Sequence, residues 1–261
     1  MPTAALALID GLAAEGRTAV TTSEVRSRLS LSPQSASNLL SRLERDGLVE
    51  RVRRGEYIIH PLGELGVSAS SADRLDEAVS IAANGRVHRI CYRSALHEHG
   101  LLSRPGRRIQ LAVDRRLRIA GIGERELEAI IERVDQIHIG AENFGQSWIS
   151  AKPRALLEAA QQPRRVGGIA AVAEALWTSD TNAADITSLP MELNLGVGLR
   201  RLASLNEQLG LGRLDDLAAS TATHRPAPLD PDDTRTDGFL DRRWNIRWAG
   251  PVSELQAVVR Q

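Results

Sequence analysis

One cysteine, Cys91, and one lysine, Lys152, stand in a chain of 261 residues, and aromatic side chains make up only 3% of it. A lone thiol excludes an internal disulfide framework and suits a reducing compartment. Its neighbours His88, His97 and His99 do not complete a metal site, because there is no second thiol and no established ligand spacing. His97 and His99, two apart on an expected helix, point about 200° away from each other and cannot close on one ion. The shortage of aromatics gives no pointer to a planar-ligand site. Net charge is also missing: 33 basic and 33 acidic residues cancel, so attraction to nucleic acid has to come from local clustering. Arginine supplies every positive charge except Lys152, a bias that goes with abundant alanine and carries no weight by itself. No segment is long and apolar enough to span a bilayer, and no basic region followed by an apolar run opens the chain, so a soluble cytoplasmic protein without a membrane partner is expected. There is no phosphate-cradling glycine loop, nucleophile elbow or metal-binding helix motif. His97, Glu98 and His99 with Asp114 are the best titratable candidates, and they do not converge; no catalytic residue, metal, cofactor or enzymatic activity is expected.

What is present is concentrated in residues 21–59. Thr21 and Glu24 have capping-box spacing at the start of a short helix that sets Val25 and Leu29 on one side. After a turn through Ser30 and Leu31, Ser32 can cap a second helix with Pro33 at its first position. That helix runs to about Asp46, with Ala36, Leu39, Leu40 and Leu43 on one face and Gln34, Asn38, Ser41 and Arg45 on the other. Residues 48–53 and 56–59 read as two strands joined at Arg54 and Gly55. Helix, turn, helix, hairpin is the order of a winged helix-turn-helix. In it, Gln34, Ser37, Asn38, Ser41 and Arg45 would meet base edges, Arg42 the backbone, and Arg51, Arg53 and Arg54 would hold the wing to phosphates. A three-helix bundle with a solvated polar face is the plainer alternative for the same pattern.

The fold class expected is mixed α and β (α+β): a winged helix-turn-helix domain over residues 1–62, a connector over 63–71 rich in glycine and serine, and a larger mixed α+β domain over 72–261. Residues 3–15 form a first helix. In the larger domain helices are expected over 72–83, 94–99, 124–134, 152–160, 167–177, 191–209 and 253–259. Strands are expected over 87–91, 109–113, 136–140, 147–150 and 244–248, and a loop rich in proline and aspartate over 221–237. Between residues 104 and 118, Arg104, Arg107, Arg108, Arg115, Arg116 and Arg118 are opposed only by Asp114. Such a run is ordinarily a solvated surface; here it is also a candidate second DNA contact, or a face for an acidic partner.

The run Tyr92-Arg93-Ser94-Ala95-Leu96 leading to His99-Gly100-Leu101 resembles the AbiEi family of antitoxins. So do residues 149–159, Ile-Ser-Ala-Lys-Pro-Arg-Ala-Leu-Leu-Glu-Ala, Pro163 with Gly167-Gly168 after it, and Arg200-Arg201-Leu202. The likeness extends over most of the chain and departs at Ala203-Ser204, where that family is nearer glycine followed by an aromatic residue. The resemblance implies a two-domain antitoxin whose N-terminal domain represses its own operon at paired, inverted operator sites and whose C-terminal domain neutralises a co-encoded nucleotidyltransferase toxin. Partners on that basis are double-stranded operator DNA and the toxin, and a homodimer on DNA is left open. Read without the family, the same motifs have plain packing roles: Ser94, Ala95 and Leu96 open and pack a helix, Gly100 ends it, and Gly167-Gly168 begin another. A one-component regulator with a ligand-sensing C-terminal domain is the alternative function.

Overall fold

A computed structural model describes residues 2–60, 75–117, 121–122, 125–217 and 225–260. Helix α1 (Pro2–Ala14) leads into strand β1 (Ala19–Thr21), then α2 (Thr22–Arg28), α3 (Pro33–Arg45), β2 (Val49–Arg53) and β3 (Glu56–Ile59). β1 pairs antiparallel with β3, giving a small sheet in the order β1-β3-β2. The N-terminal unit is a winged helix-turn-helix. Its core is built from Ile9 and Leu12 of α1, Val25 of α2, and Ala36, Leu40 and Leu43 of α3, closed by Val49, Tyr57 and Ile59 from one face of the sheet.

The larger unit begins with α4 (Leu75–Ala83), β4 (His88–Ile90), α5 (Tyr92–Glu98), β5 (Arg108–Val113), β6 (Gly121–Ile122), β7 (Arg125–Ile131), β8 (Ala141–Phe144) and β9 (Ser147–Ser150). Its strands form a mixed sheet in the order β6-β7-β5-β4-β9-β8. Helices α6 (Lys152–Gln161) and α7 (Ile169–Thr178) follow, separated by a 3-10 turn at Pro163–Arg165. After them come α8 (Ala183–Ile186), α9 (Leu189–Glu192) and α10 (Gly196–Leu209). Strands β10 (Ala227–Pro228), β11 (Leu240–Asp241) and β12 (Ile246–Arg247) make a third sheet, and α11 (Val252–Val259) ends the described chain. The expected architecture, a winged helix followed by a mixed α+β unit, is the one observed.

Three expected elements are different. Residues 124–134, with Leu127, Ile130 and Ile131 at helical spacing, contain strand β7, parallel to β5 from Arg108↔Glu126 to Val113↔Ile131. The period of two lies in the polar residues: Arg108 Nε donates to Glu126 at 2.9 Å and Gln110 Nε2 to Glu128 at 3.0 Å across the ladder. Residues 136–140 are successive turns, not a strand. Their carbonyls converge on a buried cation: Arg154 Nη1 donates to Gln136 O at 2.7 Å and Ile137 O at 3.1 Å, and also to Ile139 O. The single helix over 191–209 is two, α9 and α10, broken where Asn194 takes φ of 56°, left-handed backbone that a helix cannot continue through. The connector 63–71 lies outside the described residues.

The two units share apolar surface. Val52 and Ile58 point away from the winged-helix core and are buried in the core of the larger unit, to which Leu75, Val79 and Ile122 also belong. Strand β2 accordingly packs against α4 and β6.

Candidate nucleic-acid interface

The recognition helix is set by its caps. Ser32 Oγ accepts the amide of Ser35 at 3.1 Å and Pro33 opens α3, so two of the unpaired first-turn groups are dealt with locally. The turn before it reverses at Ser30, with φ of 50°. At α2, Thr21 Oγ1 accepts from the Glu24 amide at 3.1 Å. The Glu24 carboxylate is engaged by Arg17 at 3.2 Å and Arg28 at 3.5 Å.

Ala36, Leu40 and Leu43 bury the inner face of α3, and Leu39, expected among them, is only partly covered. Gln34, Ser37, Asn38, Ser41, Arg42 and Arg45 are all exposed. The polar ridge is therefore open, not walled off by the larger unit. Gln34 Nε2 donates to Asn38 Oδ1 at 3.0 Å, one turn along, so these two amides lie side by side as a preformed pair. Asn38 and Arg42 also border a groove of about 460 Å³ between α1 and α3, floored by Ala5, Leu29, Leu31 and Leu39.

The wing departs from its expected form. Arg51 pairs with Tyr57 but Arg53 with Glu56, so Val52 is an extra residue, a bulge that turns it into the neighbouring unit, and Arg51 and Arg53 are not successive outward residues of one regular strand. Arg53 forms an ion pair with Glu56. Its charge is met within the protein, and the Glu56 bond holds its guanidinium above the ordinary arginine range despite partial burial. Arg51 and Arg54 are exposed. Gly55 adopts φ of 82° at the tip, and its carbonyl accepts from the Thr22 amide at 2.8 Å, tying the wing to the start of α2. Strand β1 and this tether have no signal in the sequence; the Arg53–Glu56 pairing, which takes Arg53 from its expected phosphate contact, has one in opposite charges flanking a two-residue turn.

The linear arginine run between 104 and 118 does not make one patch. Arg104, Arg107 and Arg108 precede β5 or begin it, while Arg115 and Arg116 follow its other end, roughly 20 Å of strand away. Arg115 lies 3.6 Å from Asp114, and Arg118 lies outside the described residues.

The residues of the family-like motifs are mostly internal. Arg154 and Glu158 are one helical turn apart on α6 and bonded at 2.8 Å, and Arg89 of β4 donates to Glu158 as well. Glu132 receives Arg89 at 3.0 Å and Arg154 at 2.9 Å, and Ser150 Oγ donates to Glu158 at 2.9 Å. Burial acts to raise the Glu158 carboxyl, but Arg89 and Arg154 outweigh it and hold the group below the usual carboxylate range. Arg201 of α10 donates to Ala160 O at 2.8 Å and Gln161 O at 3.0 Å, covering the carbonyl end of α6, and burial lowers it to about 10. Ser204, at the departure from the family pattern, donates to Asp241 at 2.7 Å and accepts from Trp248 Nε1 at 2.9 Å.

The three histidines near Cys91 in sequence are engaged by hydrogen bonds: His88 with Arg86 O and Ser147 Oγ, His97 with Leu102 O, and His99 with Ser150 O at 2.7 Å. Burial lowers the His88 imidazole below its ordinary value.

Cap, turn, exposed polar helix and hairpin define a DNA-binding winged helix-turn-helix of the kind carried by transcriptional regulators. A model of the MarR family matches residues 1–56. No curated protein matches the chain. Over its whole length the chain resembles the crystal structure of RV2827C protein from Mycobacterium tuberculosis, with a TM-score of 0.68 and 16% identity, over 97% of this chain and 94% of that one. At that identity the likeness is one of fold. Among the described residues no helix is long and apolar enough to cross a membrane.

Proposed function

We propose that this protein is a repressor of its own operon and the antitoxin of a toxin-antitoxin pair whose toxin is a nucleotidyltransferase. The observation that carries the repressor half is the open ridge of α3 in a chain whose wing is docked on its other unit: the reading helix is presented, and its orientation relative to the larger unit is fixed. Gln34, Ser37, Asn38, Ser41 and Arg45 face base edges in the major groove, Arg42 faces the backbone, and Arg51 and Arg54 meet phosphates. Two copies on an inverted repeat would place two such helices in successive grooves. The antitoxin half is supported by the AbiEi-like motifs, whose charged members Arg154 and Glu158 build the centre of the second unit. The protein acts by binding, without chemistry of its own.

Gel shifts on the native promoter and on fragments with altered half-sites test the repressor half. Asn38→Ala is expected to narrow the gap between matched and mismatched sites by about 1 to 3 kcal/mol. An unchanged preference overturns this orientation of the helix. Co-expression with the product of an adjacent nucleotidyltransferase gene tests the antitoxin half: growth is restored if it is right. A metabolic neighbour in place of that gene, and no protection, favour a one-component regulator.

A further inference from the structure

A second concavity, of about 980 Å³, opens in the larger unit where α5, the starts of β5 and β7, and the 3-10 turn after α6 come together. Six arginines line it: Arg93, Arg107, Arg108, Arg125, Arg164 and Arg165. They come from four separate stretches of the chain, and only Arg107 and Arg108 belong to the linear run between 104 and 118.

Three of the six are matched by carboxylates. Arg108 Nε meets Glu126 at 2.9 Å, Arg165 meets Glu128, and Arg164 meets Asp232. The other three, Arg93, Arg107 and Arg125, form no ion pair among the described residues. Arg93 is held by two neutral acceptors, the carbonyls of Val166 and Arg104, so its charge is positioned but not cancelled. At Arg125, Nε and Nη2 have no hydrogen-bond partner among the described residues, and the Glu98 carboxylate acts on its charge without forming an ion pair with it. Such a group is costly until an anion answers it.

Guanidinium groups match phosphate oxygens two at a time, and their planar forks suit that geometry better than a point charge does. The volume falls within the roughly 300 to 1,000 Å³ typical of small-ligand pockets, and a rigid duplex does not enter so small a concavity. Among the described residues no aromatic ring lines it, so recognition falls on the charged part of the ligand and not on a stacked base. We propose that this basin binds a small ligand bearing two or three linked phosphates, a nucleoside polyphosphate or an inorganic polyphosphate, with Arg93, Arg107 and Arg125 as its phosphate contacts. The inference is independent of the operator and antitoxin readings.

Isothermal titration of the full chain with ATP, AMP and inorganic tripolyphosphate, at fixed ionic strength, tests it. Saturable binding is expected for ATP or tripolyphosphate and weaker binding for AMP. Equal affinity for the first two assigns the site to the phosphate chain alone; preference for ATP assigns it to a nucleotide. The double variant Arg107→Ala, Arg125→Ala is expected to bind about tenfold or more weakly, and Arg51→Ala, on the wing, to bind as the parent does. Should Arg125→Ala fail to fold, Arg107→Glu at an exposed position carries the same expectation. The proposal is overturned if neither polyphosphate saturates the protein at millimolar concentration, if AMP binds equally well, or if the basin variants lower only DNA affinity and leave polyphosphate binding unchanged.

Discussion

Arg89 is wholly buried, Arg154 and Glu158 nearly so, and Glu132 closes the cluster from a part-exposed position. Bringing such charges out of water is costly unless each is answered, and removing one member leaves its partners buried and unpaired. Glu158→Ala strands two guanidinium groups at once and is expected to destabilise the fold by about 3 to 5 kcal/mol, measured as a lowered urea midpoint. Because the folded-state value of Glu158 lies below its unfolded value, its contribution is fully present above about pH 4.3, the unfolded range of glutamate, and is lost as pH falls through the lower folded value. Acid denaturation of the parent is therefore expected to be steeper than that of Glu158→Gln. On the wing the same reasoning separates neighbours. Arg51→Ala or Arg54→Ala each lowers the salt slope of operator binding by about 0.9, one released counterion, whereas Arg53→Ala changes it little because Glu56 already holds that charge.

Elements whose structure is decided by local chemistry were legible in the sequence. The Ser32 cap, Pro33 and the leucine spacing of α3 placed that helix to within a residue, and the hairpin followed from Arg54-Gly55. Ser32→Ala is expected to cost about 1 kcal/mol in thermal unfolding and to weaken operator binding by fraying the reading helix. Where partners lie far along the chain, legibility failed. Residues 124–134 carry helical spacing, and the strand signal of β7 is the match of Glu126 and Glu128 to Arg108 and Gln110, visible only once the two strands lie side by side. One helix holds the polar ridge of α3, so its own spacing displays it, whereas four elements far apart in the chain assemble the basin. Helix contacts show a similar dependence. At Gly198 of α10 an added Cβ would sit 2.5 Å from Leu157 O and 3.0 Å from Gln161 N of α6. Gly198→Ala is expected to destabilise by about 1 to 3 kcal/mol, because the helices must separate and the Arg201 bonds to the end of α6 stretch with them.

Between the two units, the wing has two faces with two functions. Tyr57 and Ile59 complete the winged-helix core, while Ile58, alternating with them along β3, and the bulged Val52 of β2 complete the other unit's core. A winged helix cut free after residue 60 would expose both side chains. Burying a valine and an isoleucine is worth about 1.5 to 3 kcal/mol each as an upper estimate, a large share of the stability of a domain of that size. Replacing Val52 by aspartate puts a charge into this joint without touching the ridge of α3. The parent is expected to unfold in one transition seen alike by tryptophan fluorescence, whose four reporters all lie in the larger unit, and by far-ultraviolet dichroism. In Val52→Asp the two probes are expected to separate, with the dichroism showing an earlier step as the winged helix melts by itself. Coincident curves in that variant would mean that the units are joined by something other than the wing.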